Sequence, residues 1–109
     1  MNILFICSKN QWRSPTAEQI WRNHESWVTR SAGTSRNAKR PVNADLIRWA
    51  DVIFVMEQKH KNRLKADFPR LLEYKPLHVL DIPDDYPYMD PELIEILKTS
   101  VPSILTNHN

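Results

Sequence analysis

A chain of 109 residues, 41% of them hydrophobic, has the apolar material for one modest core, so residues 1–109 are expected to form a single domain. With 15 basic residues against 13 acidic ones the net charge is +2, too even a balance to define a polyanion partner. The single cysteine, Cys7, excludes an internal disulfide and a cysteine-based metal cluster, which leaves it as inert core or as a reactive thiol.

Asn2 to Ile6 is a continuous apolar run, the pattern of a strand buried on both faces of a parallel sheet, and it leads straight into Cys7. The run is too short, and too poor in preceding basic residues, for a secretory signal or a membrane span, so a cytoplasmic location is expected. Ser8 to Ser14 is polar. Ser14-Pro15-Thr16-Ala17-Glu18 then predicts a helix with Ser14 as N-cap and Pro15 at its first position, running through Gln19, Ile20 and Trp21 to about His24. Trp27 to Arg30 predicts a second strand and Ser31-Ala32-Gly33-Thr34 the turn after it, where Gly33, the one glycine, is expected to take a positive φ. Ser35 to Pro41 reads as a polar, basic surface loop.

Val42 to Ala50 predicts a short helix started by Asn43 and carrying Ala44, Ile47 and Trp49. Asp51 to Met56 is the clearest strand in the chain, and Glu57 to Phe68 follows as a charged helix. Leu77 to Leu80 predicts a fourth strand and Asp81 to Tyr88 a proline-rich loop. Asp90-Pro91-Glu92 opens a last helix through Leu93, Ile94, Ile96 and Leu97. Strands alternating with helices imply an α/β fold with parallel pairing.

The chemistry is concentrated between Cys7 and Ser14. In an open α/β sheet, ligands bind beyond the carboxyl ends of the strands, beside helix N-termini whose free N–H groups attract anions. Cys7 stands at such a strand end, and the residues after it must turn from strand to helix, which can aim several backbone N–H groups inward as an anion nest. Arg13, six positions on, closes the ring with a planar guanidinium able to bond two phosphate oxygens at once. That positive surround favours the thiolate form of Cys7, a nucleophile facing a bound phosphoryl group. Attack would form a phosphocysteine, with the loop amides and Arg13 stabilising charge on the equatorial oxygens and no metal or other cofactor required. With 8 arginines in 109 residues, the Cys-to-Arg spacing arises by chance about one time in fourteen. The preceding strand and the following helix start are what make it specific.

Ile6-Cys7-Ser8-Lys9-Asn10-Gln11-Trp12-Arg13-Ser14-Pro15 resembles the phosphate loop of the low-molecular-weight protein tyrosine phosphatases. The likeness extends to Met1–Phe5, Thr16-Ala17-Glu18, Ser31-Ala32-Gly33-Thr34, Asn43–Met56 and the Asp81–Tyr86 loop, and so covers nearly the whole chain. It implies a flavodoxin-like three-layer fold, a four-stranded parallel sheet with helices on both faces, in a short member with trimmed loops after the second and third strands. It implies Cys7 as nucleophile, Arg13 as phosphate clamp, Ser14 as hydrogen-bond donor to the thiolate, and Ser8, Lys9, Asn10, Gln11 and Trp12 as the phosphate-binding loop. Asn10 would hold that loop through a network with Ser31. An aspartate of the late loop would act as general acid. Family members usually carry Asp-Pro there, whereas this chain reads Asp81-Ile82-Pro83-Asp84-Asp85-Tyr86. Counting back from the Asp90 helix favours Asp84, and the end of the fourth strand favours Asp81; Asp84 is preferred and Asp81 kept beside it. Tyr86 or Tyr88 would supply an aromatic wall.

Lys9 replaces a common family glycine. Trp12 stands where many members carry a second cysteine, so oxidised Cys7 would have no partner thiol to rescue it. The expected activity is hydrolysis of a phosphotyrosine-containing protein or small aryl phosphate by a monomer or weak dimer, without membrane or nucleic-acid partners. Two alternatives remain: a phosphate-binding module of the same fold with little turnover, and an arsenate reductase that borrows thiols from a carrier, since one cysteine excludes the self-contained version. Sugar-transporting phosphotransferase components also place a cysteine after the first strand, but Arg13 argues against them. Basic residues gather between Lys9 and Lys65 and acidic ones between Asp81 and Glu95. Arg36 to Arg40 would steer phosphorylated proteins or simply be solvated. His24, His60, His78 and His108 lack metal-ligand spacing and read as surface or packing residues. Trp12, Trp21, Trp27 and Trp49 read as core, Trp12 also as a flank of the entrance.

Overall fold

The computed structural model describes residues 1–107; His108 lies outside them. Four strands, β1 (Asn2–Cys7), β2 (Val28–Gly33), β3 (Val52–Val55) and β4 (Leu77–Val79), pair in the order β2-β1-β3-β4. Every pairing is parallel. The helices are α1 (Arg13–Ile20), α2 (Ala44–Trp49), α3 (Gln58–Asp67), α4 (Pro69–Leu72) and α5 (Pro91–Asn107).

The apolar run at the N-terminus becomes the central strand because its side chains alternate between two cores. Ile3, Phe5 and Cys7 face one cluster with Ala17 and Trp21 of the α1 segment and Leu93, Leu97 and Val101 of α5. Leu4 and Ile6 face the other with Leu46 and Ile47 of α2, Leu64 of α3 and Leu72 of α4. This is the three-layer, four-stranded parallel arrangement that the sequence predicts. Among the described residues, no helix is long and apolar enough to cross a membrane.

Chain direction across the sheet reverses at β1: the chain moves from β1 outward to β2, then returns past β1 to β3 on its other side. The loops leaving β1 and β3 therefore diverge, and a crevice opens at their carboxyl ends. Cys7 closes β1 at that crevice, and Met56 and Glu57 leave β3 beside it.

Several local expectations are corrected. The first helix begins at Arg13 and ends at Ile20, with Trp12 rather than Ser14 at the cap position, because the Ser14 hydroxyl is engaged with Cys7 and Asn10. Ser31, Ala32 and Gly33 are strand rather than turn, extended by pairing with Phe5, Ile6 and Cys7. Gly33 does not take a positive φ. Its need is space: a Cβ there would meet the Ser8 carbonyl oxygen at 2.5 Å and the Ala38 Cβ at 2.6 Å. Ser35 to Pro41 is more than a solvated loop, since it returns to bridge Gly33 through Pro41 and buries Ala38. Asn43 caps α2 as predicted, its side chain accepting from the Leu46 N–H at 2.9 Å. Asp90 does the same for α5, accepting from Glu92 and Leu93.

Candidate active site

Residues 8–12 join β1 to α1 and lie against the chain leaving β2. The carbonyls of Cys7, Ser8 and Lys9 accept from the N–H groups of Thr34, Ser35 and Lys39 at 3.0, 3.0 and 3.1 Å. In a trans peptide the N–H points opposite to the C=O, so fixing these three carbonyls outward turns the N–H groups of Ser8, Lys9 and Asn10 to the inner side of the loop. Asn10 takes φ 56°, the left-handed conformation that bends the chain at that point and that asparagine tolerates well.

The bend is held from below. Asn10 Nδ2 donates to Ser14 Oγ at 3.0 Å and to Ser31 Oγ at 2.9 Å, and Ser31 in turn donates to Glu18. Ser14 Oγ lies 2.9 Å from Cys7 Sγ. Asn10 and Ser14 are both buried, tying the sulfur to the framework of α1 and β2.

Cys7, Ser8, Lys9 and Gln11 share a cavity of about 150 Å³ with Trp12, Arg13 and Asp84. Cys7 is 3% and Arg13 2% exposed, yet both line this cavity. A buried guanidinium needs partners. Arg13 Nη1 donates to Glu57 Oε1 at 2.5 Å and to the Ile82 carbonyl at 2.8 Å, so the loops after β3 and β4 both anchor it. Arg13 Nε has no hydrogen bond and is the buried side-chain polar atom so left among the described residues. It lies 3.5 Å from Asp84 Oδ1. A buried donor without an acceptor costs about 1–3 kcal/mol, and an oxyanion in the cavity would satisfy it.

Of the two candidate aspartates, Asp84 borders this cavity. Asp81 does not: at φ 56° the chain turns there, and Asp81 lines a separate depression with Glu57 and Lys59. Trp12 is 45% exposed at the cavity edge rather than in the core, whereas Trp21 is buried and stacks on Phe5. Neither tyrosine walls the cavity. Tyr86 packs against the α1/α5 core, and Tyr88 borders a larger groove of about 680 Å³ behind the loop, with Trp12, Lys39 and Arg40.

Two residues of this region escaped the sequence reading. Burial pushes the Glu57 carboxyl up, but the hydrogen bond and charge of Arg13 outweigh it and leave the group below its ordinary value. His60, read as a surface or packing residue, is 1% exposed and hydrogen-bonded to Ser8. The signal was a Glu followed three positions later by a polar residue at the end of the clearest strand, a helix-start pattern with His in place of the usual Glu or Gln. His24, by contrast, stacks on Trp27.

The chain has the flavodoxin-like fold of the low-molecular-weight protein tyrosine phosphatases. A low-molecular-weight protein tyrosine phosphatase from Streptococcus pyogenes is 16% identical over 97% of this chain and 91% of its own, with a TM-score of 0.79. YwlE arginine phosphatase from Geobacillus stearothermophilus is 21% identical over 97% of this chain and 94% of its own, at 0.76. The tyrosine phosphatase Wzb from Escherichia coli K30, solved in complex with phosphate, is 20% identical over 99% and 98%, also at 0.76. No family model matches the chain, and no curated protein does.

Proposed function

We propose that this protein is a phosphomonoester hydrolase working through a phosphocysteine on Cys7, with aryl phosphates such as phosphotyrosine as its substrates. The observation that carries this reading is the buried Arg13 whose Nε lacks a hydrogen bond on a cavity shared with Cys7. The Cys7 thiolate attacks phosphorus while the bond to the leaving oxygen breaks, and Asp84 gives that oxygen its proton. Water then attacks the phosphocysteine. Asp84 takes the water's proton, the S–P bond breaks, and phosphate leaves with the thiolate restored. The inward N–H groups of the loop and the Arg13 guanidinium hold the equatorial oxygens throughout. Asp84 is supported as the acid by its place on the cavity, and its exposed side chain, 58% accessible, is free to reach a leaving group.

A second substrate class is favoured by the half-exposed Trp12 at the cavity edge. Its flat face suits a phenyl ring or a guanidinium equally, and solved neighbours include both tyrosine and arginine phosphatases. Phosphoarginine is therefore the alternative substrate, its P–N bond breaking and arginine leaving with the proton from Asp84. Purified protein is expected to hydrolyse para-nitrophenyl phosphate in the presence of a chelator, to be blocked by vanadate, and to lose turnover in Cys7→Ser and Arg13→Ala. Turnover that survives in Cys7→Ser refutes the mechanism. Comparing phosphotyrosine and phosphoarginine peptides assigns the class, and tight phosphate binding without turnover makes the chain a binding module instead.

A further inference from the structure

Ser8 is the loop residue whose side chain is tied to a buried histidine from a different element. His60 is the third residue of α3, 1% exposed, and its two ring nitrogens are both engaged. Nδ1 accepts from the Glu57 backbone N–H at 3.0 Å. Nε2 lies 2.8 Å from Ser8 Oγ. A backbone N–H can only donate, so Nδ1 must carry a lone pair, and the proton of the neutral ring sits on Nε2. Burial, with the Arg13 charge beside it, holds the His60 pKa down at about 4, which keeps the ring neutral near pH 7.

The direction of the next bond follows. Ser8 Oγ accepts from Nε2–H, so the hydroxyl proton must point elsewhere, and Ser8 lines the cavity that Cys7 and Arg13 share. We infer that His60 is a positioning residue that fixes the Ser8 hydroxyl as an additional hydrogen-bond donor to the oxyanion in this cavity. The relay runs from the Glu57 N–H through the imidazole to the hydroxyl. The same residue, Glu57, holds Arg13 with its carboxylate, so one helix start sets two donors around one anion. A hydroxyl free to rotate would lose orientation each time the cavity empties, and a fixed one is ready before the ligand arrives.

The inference rests on the reading of the cavity as a phosphoryl site, and the test separates the two. Binding of inorganic phosphate is measured by calorimetry alongside para-nitrophenyl phosphate kinetics for wild type, Ser8→Ala, Ser8→Thr, His60→Gln and the double variant Ser8→Ala/His60→Gln. Loss of one hydrogen bond to a charged ligand is expected to weaken phosphate binding about tenfold or more in Ser8→Ala, with Ser8→Thr restoring most of it. His60→Gln should weaken it in the Ser8 background and add little in the Ser8→Ala background, because its effect passes through the hydroxyl. Nitrogen chemical shifts of the His60 ring should show a bare Nδ1 and a protonated Nε2. Equal phosphate binding in Ser8→Ala and wild type, additive losses in the double variant, or a proton on Nδ1 each overturn the inference. If wild type fails to turn over while this phosphate-binding pattern holds, hydrolysis is wrong and the relay stands.

Discussion

Glu57 Oε1 lies 2.5 Å from Arg13 Nη1, joining the second residue after β3 to the first residue of α1 across the crevice where the sheet changes direction. The contact spends Nη1 on protein, while Nε makes no hydrogen bond and only a 3.5 Å ion pair with Asp84. Glu57→Gln keeps the shape and removes the charge. It is expected to cost about 1–3 kcal/mol of stability in urea titrations and to weaken phosphate binding, since an unpaired buried guanidinium relaxes toward any remaining acceptor. Added phosphate should recover part of the lost stability, because a ligand that binds only the folded state raises its population. A variant as stable and as phosphate-responsive as wild type would show that Arg13 does not depend on this carboxylate.

The two aspartates of the late loop separate by geometry. Asp84 reaches the cavity beside Arg13 Nε, whereas Asp81 faces the depression near Glu57 and Lys59. Asp84→Asn is expected to lower kcat on an ester with a poor leaving group by ~10²–10⁴-fold, and to matter less for para-nitrophenyl phosphate, whose leaving oxygen needs little protonation. Asp81→Asn should stay close to wild type on both. The reverse ranking would move the acid to Asp81 and require the loop to rearrange on binding.

Gly33 offers a test of the loop that does not touch the chemistry. A methyl group at this position would press on the Ser8 carbonyl at 2.5 Å, and that carbonyl is one of the three whose outward fixation turns the loop N–H groups inward. Gly33→Ala is expected to destabilise the protein by about 1–3 kcal/mol and to weaken phosphate binding together with turnover. A change in thermal midpoint with phosphate binding intact would mean that the neighbouring Ala38 side yields instead of the loop.

The sheet was legible because Ile3 to Ile6 and Val52 to Val55 are apolar at every position, which only a strand covered on both faces needs. Cys7, Arg13 and the loop between them were legible for the same reason: a reactive pair directly after such a strand sits where an α/β sheet opens. What was not legible depends on contacts made across the fold. The hydroxyl of Ser14 is spent on Cys7 and Asn10 rather than on a helix cap, a choice set by tertiary packing. The reason for Gly33 is the Ser8 carbonyl from the loop after β1 and the Ala38 side chain from the loop after β2, and local turn chemistry carries no trace of them. Glu57 and His60 look like an ordinary charged helix start until the sheet brings β1 and β3 together. The choice between Asp84 and Asp81 turns on one left-handed residue, Asp81 itself, whose φ of 56° decides which way the loop faces.

Acid should loosen this protein from its site outward. In the unfolded chain His60 titrates near its ordinary value of 6.5, while in the folded protein it does so at about 4, held down by burial and by the charges of Arg13 and Lys59 against the opposing pull of Glu57 and Asp84. Between those values the unfolded state binds the extra proton, so stability falls as the pH drops from about 7 towards 4, and this contribution is complete only above 6.5. The full swing for one such group is about 3 kcal/mol. Glu57 acts in the same direction at lower pH: its folded pKa lies below the ordinary 4.5, so the stability it adds is present above that value and is lost on further acidification. Urea midpoints measured at pH 7, 6 and 5 should therefore decline in wild type and decline less in His60→Gln, which has no imidazole to protonate. Protonation would also put a hydrogen on Nδ1 facing the Glu57 N–H, two donors in a position that holds one, so phosphate binding should weaken over the same range that stability does. A His60→Gln variant with the same pH slope as wild type would place the acid-sensitive group elsewhere.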